Sequence, residues 1–302
     1  MTAPRHFRTL EDLSADELNA LLDRADELRA TRGSHARPLE GKTVAIVLEK
    51  ASTRTRLSFE VGVRELGGAP TTLIARDTQM GRGEPLGDTA HMLSGYVHGV
   101  VFRTFGHERV LELCATARIP VINGLSDTYH PCQLLADLQT VRAELGALHG
   151  VPVAWIGDGN NMAHSWILAA ARTGLDLRLA CPEAYAPDEA ILARGRELGA
   201  SITLTTDPVE AARGARVVTT DVWASMGQEE EQHARERAFA GFQVDAALMA
   251  EAADDAIFLH CLPAHRGEEV AAAVIDGPAS RVWVEAENRL HAQKALLELL
   301  LS

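Results

Sequence analysis

The chain has 302 residues, 46% apolar and 24% charged, with a formal net charge of −13 at pH 7. That length allows two domains of ordinary size, and the acidic balance counts against a nucleic-acid partner, whose phosphates reward a basic face. No apolar run approaches the roughly 20 residues that span a bilayer, no signal-peptide core opens the chain, and Cys114, Cys132, Cys181 and Cys261 form no C-x-x-C pair, so a reducing cytoplasm is expected, without a disulfide framework or zinc knuckle.

Ser14-Ala-Asp-Glu17 is a capping box, and Leu18, Leu21, Leu22 and Leu28 follow at helical spacing, which predicts a first helix. Residues 31 to 41 read as a Gly-containing linker. Thr43 to Leu48 is an almost unbroken β-branched and apolar run, suited to a strand buried on both faces of a parallel sheet. Phe59, Val63 and Leu66 then recur at i, i+4 and i+7, the mark of an amphipathic helix. Ser52 or Thr53 therefore stands where strand gives way to helix. A helix start offers unpaired N–H groups and a partial positive charge to an anion, and here Ser52, Thr53, Arg54 and Arg56 crowd the same turn. A plain N-cap with surface arginines would use the same residue types, but cations in a first turn oppose the helix dipole, and a bound multivalent anion removes that conflict. The Walker pattern is absent, which argues against a nucleotide triphosphatase.

Gly67-Gly68-Ala-Pro70 closes this helix and Thr71 to Ala75 reads as a short strand. Residues 77 to 87, with three glycines and a proline, predict a mobile loop, followed by a helix from Asp88. Val100 to Arg103 is a strand with Arg103 at its end, Val110 to Ala117 a helix, and Pro120 to Asn123 another strand. His130-Pro-Cys-Gln133 opens a helix through Leu134, Leu135, Leu138 and Val141.

The pattern restarts at Gly146 to Gly150, the expected domain boundary. Val151 to Ile156 is a strand, and Gly157-Asp-Gly-Asn-Asn161 leads into the apolar helix Trp166 to Ala171; the missing third glycine argues against a dinucleotide fingerprint. Further strands read at Asp176 to Ala180, Ser201 to Thr205, Val217 to Thr220, Ala256 to His260 and Arg281 to Glu285, with a last amphipathic helix from Asn288. The alternation predicts an α/β fold of two doubly wound parallel-sheet domains. The unusual polar groups fall at strand carboxyl ends, where such sheets bind ligands. They are Ser52 to Arg56, Arg103, His130 to Gln133, Asn160 and Asn161, Asp221 to Gly227, His260 to Arg266, and Arg289, which together predict an active site in a cleft between two domains. The first half suits an anion and the second an amine or amino acid.

Five segments, Ser-Thr-Arg-Thr-Arg (52 to 56), Phe-Arg-Thr (102 to 104), His-Pro-Cys-Gln (130 to 133), Asp-Val-Trp-Ala-Ser-Met-Gly (221 to 227) and His-Cys-Leu-Pro-Ala-His-Arg-Gly (260 to 267), resemble in order the signatures of the ornithine carbamoyltransferase branch of the aspartate/ornithine carbamoyltransferase family. The resemblance implies a carbamoyl phosphate domain (1–146), an ornithine domain (147–284), a final helix (285–302) packing back on the first domain, and homotrimers or multiples of trimers. By motif position, Ser52, Thr53, Arg54, Thr55, Gln79, Arg103, His130 and Gln133 would hold carbamoyl phosphate, and Asn161, Asp221, Ser225 and Met226 would hold ornithine. Cys261, Leu262 and Arg289 would close the site beside the reacting carbonyl. A lysine common in the loop near residue 80, which reaches toward a neighbouring subunit, is replaced here by Gly83 beside Arg82.

The expected catalytic groups are thus Arg54, Arg103, His130, Asp221 and Cys261, with no metal and no organic cofactor. Related amines such as putrescine and N-acetylornithine remain open as acceptors, and so does a non-catalytic binding protein. Cys261 beside His260 would also permit a Cys-His nucleophile, but adjacent strand residues face opposite ways.

Overall fold

In the computed structural model, which describes residues 3–224 and 232–302, the chain is divided between two units, Met1–Gln139 with Glu287–Ser302, and Thr140–Ala286.

In the first unit, Ser14 and Glu17 cap α1 (Ala15–Ala30) reciprocally, and its leucine face is buried. There follow β1 (Thr43–Leu48), α2 (Thr53–Glu65), β2 (Ala69–Ile74), α3 (Leu86–Tyr96), β3 (Gly99–Arg103), α4 (His107–Thr116), β4 (Val121–Leu125) and α5 (Pro131–Leu145), the last crossing into the second unit. The sheet is parallel, in the order β2-β1-β3-β4. Central β1 and β3 are apolar on both faces because helices cover both. Pro70 is accommodated in β2, an edge strand. The segment read as an open loop at 77 to 87 is instead partly ordered by two 3₁₀ turns, Ala75–Asp77 and Met80–Arg82, and α3 begins at Leu86 rather than Asp88.

The second unit carries β5 (Pro152–Ile156), α6 (Asn161–Thr173), β6 (Asp176–Ala180), α7 (Glu189–Glu197), β7 (Ser201–Thr205), α8 (Pro208–Ala212), β8 (Val217–Thr220), α9 (Gln232–Ala238), α10 (Ala246–Met249), β9 (Ile257–His260) and α11 (Ala272–Ile275). Its sheet is also parallel, ordered β7-β6-β5-β8-β9. Trp155, Trp166, Phe239 and Phe258 are fully buried in this unit.

One strand expectation fails. Residues Arg281 to Glu285 open the helix α12 (Val282–Leu301) instead, so that helix starts well before Asn288, and Arg289 projects from a helix rather than a strand end. Val282-Trp-Val284 is too short for periodicity to separate strand from buried helix. The extended backbone persists only to Arg281, whose N–H donates to Phe258 O at 2.9 Å; the Glu285 N–H then donates to Arg281 O at 2.9 Å and the helix takes over.

Candidate active site

In each sheet the polar residues gather where the strand order reverses, the place at which a crevice opens beyond the strand ends. In the first unit that point lies between β1 and β3. Ser52, with extended backbone, caps α2, and its Oγ accepts from the Thr55 N–H at 3.2 Å. The first turn of α2 carries no acidic residue, so its dipole end is left to the cations and to any anion they hold. Arg103 ends β3 and is 9% exposed, while His130, just before α5, is 5% exposed. Burial, then the charges of Arg289, Arg103 and Arg54, hold the His130 imidazole well below the usual histidine range. A histidine among three guanidiniums stays neutral, a hydrogen-bond donor rather than an acid.

Arg289 reaches the same place from α12. Its Nη1 donates to Gln133 Oε1 at 2.6 Å and its Nη2 lies 3.5 Å from Thr55 Oγ1. Gln133 in turn donates to Asp137 at 2.8 Å. Thr55, Gln133 and Arg289 are all at most 2% exposed. Beside them, Glu49 takes hydrogen bonds from Arg109 at 2.6 and 3.0 Å and from the Thr104 hydroxyl, while its N–H donates to Arg103 O at 2.9 Å, bracing the ends of β1 and β3 together.

In the second unit the reversal lies between β5 and β8. Asn160 caps α6, its Oδ1 accepting from the Met162 and Ala163 N–H groups at 2.9 and 3.3 Å. Its Nδ2 donates to Asp221 Oδ2 at 2.9 Å. Asp221, just past β8, also accepts from the Val222 N–H at 2.8 Å and from the Cys261 thiol at 3.1 Å. Leu262 follows in the left-handed region at φ 57°, its N–H donating to His260 Nδ1 at 2.9 Å. Below this group, Arg235 of α9 donates to Asp158 and to Trp223 O, both at 2.8 Å, and lies over the Tyr185 ring at 4.8 Å. Burial nevertheless raises the Asp158 carboxyl to about 6.

Residues 5–143, which hold the first cluster apart from Arg289, match the family profile described as the carbamoyl-P binding domain of aspartate/ornithine carbamoyltransferase, and residues 149–300, which include Arg289, match its Asp/Orn binding domain. The chain belongs to the aspartate/ornithine carbamoyltransferase family. It is 57% identical over 299 residues to ornithine carbamoyltransferase of Halorhodospira halophila, covering 98% of this chain and 99% of that one. Likewise it is 53% identical to the anabolic ornithine carbamoyltransferase of Pseudomonas aeruginosa, covering 98% and 97%. The solved structure of ornithine carbamoyltransferase from Pyrococcus furiosus superposes with a TM-score of 0.95 at 48% identity, covering 99% of this chain and 97% of that one.

Against that carbamoyltransferase background, several expected residues stand outside the buried clusters. Arg56 turns away from the anion turn to Glu60, Nε to Oε1 at 2.9 Å, and is exposed. Gln79 is exposed between the two 3₁₀ turns, and among the described residues no hydrogen bond joins its side chain to the anion cluster. Thr53 is likewise exposed at the first position of α2. Ser225 and Met226 lie outside the described residues. Asn160 is a partner of Asp221; an Asn before an apolar helical run is a cap signal, and its amide N–H reaches the carboxylate.

Cys261 and His260 do not face each other as nucleophile and base. His260 Nδ1 accepts from Leu262, which leaves Nε2–H to donate to Glu269 at 3.2 Å. Two groups bring metal-ligand atoms within 4.8 Å of one another, Asp221 with His260 and Cys261, and His265 with Glu268 and Glu269. A metal at the first would have to displace the bonds His260 already makes.

Proposed function

We propose that the chain transfers the carbamoyl group of carbamoyl phosphate to the δ-amine of L-ornithine, giving L-citrulline and phosphate, a step of arginine synthesis. The observation that carries this reading is a buried neutral histidine among Arg289, Arg103 and Arg54, at the Ser52-capped start of α2. Such a pocket balances a phosphate dianion while keeping an uncharged N–H donor for a carbonyl oxygen.

In this reading Ser52, Thr53, Arg54, Thr55, Gln79, Arg103, His130 and Gln133 hold carbamoyl phosphate, Arg54 and Arg103 neutralising its phosphate, and Arg103, His130 and Thr55 stabilise the negative charge that grows on the carbonyl oxygen as the amine adds. The amine nitrogen forms its bond to the carbonyl carbon, the bond from that carbon to the phosphate oxygen breaks, and phosphate leaves with the electron pair. Asp221 and Cys261 orient the amine and take part in removing its proton, Asn161, Ser225 and Met226 hold the amino-acid end, and Leu262 and Arg289 close around the carbonyl. The free α-amino acid end favours ornithine over putrescine or N-acetylornithine. The reaction asks for no metal or organic cofactor. We read the assembly as a homotrimer or a multiple of it, acting in the cytoplasm; exposed Leu57, Met92, Tyr96 and Phe105 give the first unit apolar surface for such contacts to cover.

The test is citrulline formation by purified protein supplied with carbamoyl phosphate and, in parallel, ornithine, putrescine, N-acetylornithine or aspartate. Turnover with ornithine above the other three is the expected result. Preference for another amine refutes the assignment of Asp221 to Met226, and no turnover with any amine refutes the enzyme reading.

A further inference from the structure

Gln293 is fully buried on α12, one helical turn beyond Arg289. In the amide orientation that satisfies its neighbours, its Oε1 accepts from Arg289 Nε at 3.0 Å and Nη2 at 3.1 Å, and its Nε2 donates to Ser58 Oγ at 2.6 Å. Ser58 Oγ donates to Arg54 O at 2.7 Å. A continuous path of hydrogen bonds therefore runs from the backbone of the anion turn, through Ser58 and Gln293, to the edge of the Arg289 guanidinium. On another edge, Gln133 accepts from Nη1 and is itself fixed by Asp137.

We propose that Gln293 is a positioning residue for the carbamoyl transfer, a clamp with no charge of its own that sets the direction of the Arg289 guanidinium toward carbamoyl phosphate. This rests on the reading of the first cluster as the carbamoyl phosphate site. The amide is chemically suited to the task. One oxygen that accepts from both Nε and Nη2 holds the guanidinium along one edge. A carboxylate would hold that edge equally well but would subtract from the charge presented to an anion and could not donate to Ser58, and an apolar side chain would do neither. The second half of the amide makes the clamp specific, because its N–H couples Arg289 to the turn that holds the phosphate and not merely to the helix that bears it.

The experiment compares wild type, Gln293→Leu, Gln293→Glu, Arg289→Gln and the Gln293→Leu/Arg289→Gln pair, reading kcat, KM for each substrate and Tm. Gln293→Leu is expected to lower kcat/KM for carbamoyl phosphate on the order of tenfold to a hundredfold, with KM for ornithine unchanged. The same substitution in the Arg289→Gln background is expected to cost nothing more, since it acts through that guanidinium. Gln293→Glu keeps an acceptor for Nε and Nη2 but adds a negative charge beside the guanidinium and loses the N–H to Ser58, and should raise KM for carbamoyl phosphate. Wild-type kinetics in Gln293→Leu, or an equal loss with and without Arg289, overturns the proposal. Active wild type in those cases leaves the site reading standing, whereas wild type that makes no citrulline overturns that reading and the proposal with it.

Discussion

The Cys261 thiol donates to Asp221 Oδ1 at 3.1 Å, and the other oxygen of the same carboxylate is held by Asn160 at 2.9 Å. The carboxylate is thereby fixed from two loops, one beyond β5 and one beyond β9, with Asp221 beyond β8 between them.

Removing its charge should therefore be felt at the amine. Asp221→Asn is expected to lower kcat/KM for ornithine at least about a hundredfold and leave carbamoyl phosphate affinity almost untouched. Cys261→Ser, which keeps a donor, should lose less than Cys261→Ala. Steady-state kinetics with each substrate varied in turn decides it, and an Asp221→Asn enzyme of normal efficiency refutes the role.

The pH profile separates amine from imidazole. Ornithine's δ-amine, with an ordinary value of about 10.4, is mostly protonated at neutrality, so kcat/KM should climb from pH 6.5 to 8.5. His130 is held neutral by burial and its three arginines and should add no break near 6.5. A break there in wild type that disappears in His130→Gln would show an imidazole titrating normally.

Gly159 is required by crowding. A Cβ on it would lie 2.2 Å from Pro187 N and 2.4 Å from the Ala186 carbonyl carbon, both backbone atoms that cannot swing aside. Gly159→Ala should cost about 1–3 kcal/mol of stability and, by pushing the loop that carries Asn160, loosen its bond to Asp221. Chemical denaturation measures the first effect and ornithine KM the second; a variant of wild-type stability would mean that the loop yields.

Buried His291 predicts an acid-sensitive fold. Burial, then Lys294, lowers it to about 4, and among the described residues neither ring nitrogen has a hydrogen-bond partner. Between pH 6.5 and 4 the unfolded chain binds a proton there that the folded chain refuses, so this contribution falls as pH falls. Asp158, raised to about 6, runs the other way, because its folded form takes up a proton first. His291→Leu isolates the histidine. It should stabilise by about 1 kcal/mol at pH 7, and its advantage should widen by roughly 2 kcal/mol at pH 5. Parallel stability curves for the two proteins from pH 7 to pH 5 would refute the assignment.

The parallel strands were legible because buried strands of this kind are written in unbroken apolar runs, and Thr43–Leu48 has no other reading. The helix start at Ser52 was legible because a hydroxyl residue ahead of a periodic apolar run marks a cap. Arg281 to Glu285 misled because three apolar residues, Val282-Trp-Val284, look alike in a strand and in a first helical turn. Only the pairing of Ser280 with Phe258 determines where extended backbone stops. That Asn160 meets Asp221 was not legible, since the carboxylate it reaches stands sixty-one positions away. Gln293 gave no signal at all: a glutamine among helical residues reads as surface until the guanidinium beside it is seen.

Arg289 and Thr55 are 234 positions apart, yet they flank one pocket. On the ribosome, at about 5–20 residues per second, the turn bearing Thr55 is made roughly 10–50 s before the arginine that completes it. Through that interval the nascent chain owns an anion turn without its last cation or its clamp. Synthesis that stops short of α12 therefore leaves a fragment in which Gln133 and Thr55 lack the guanidinium they meet in the finished chain.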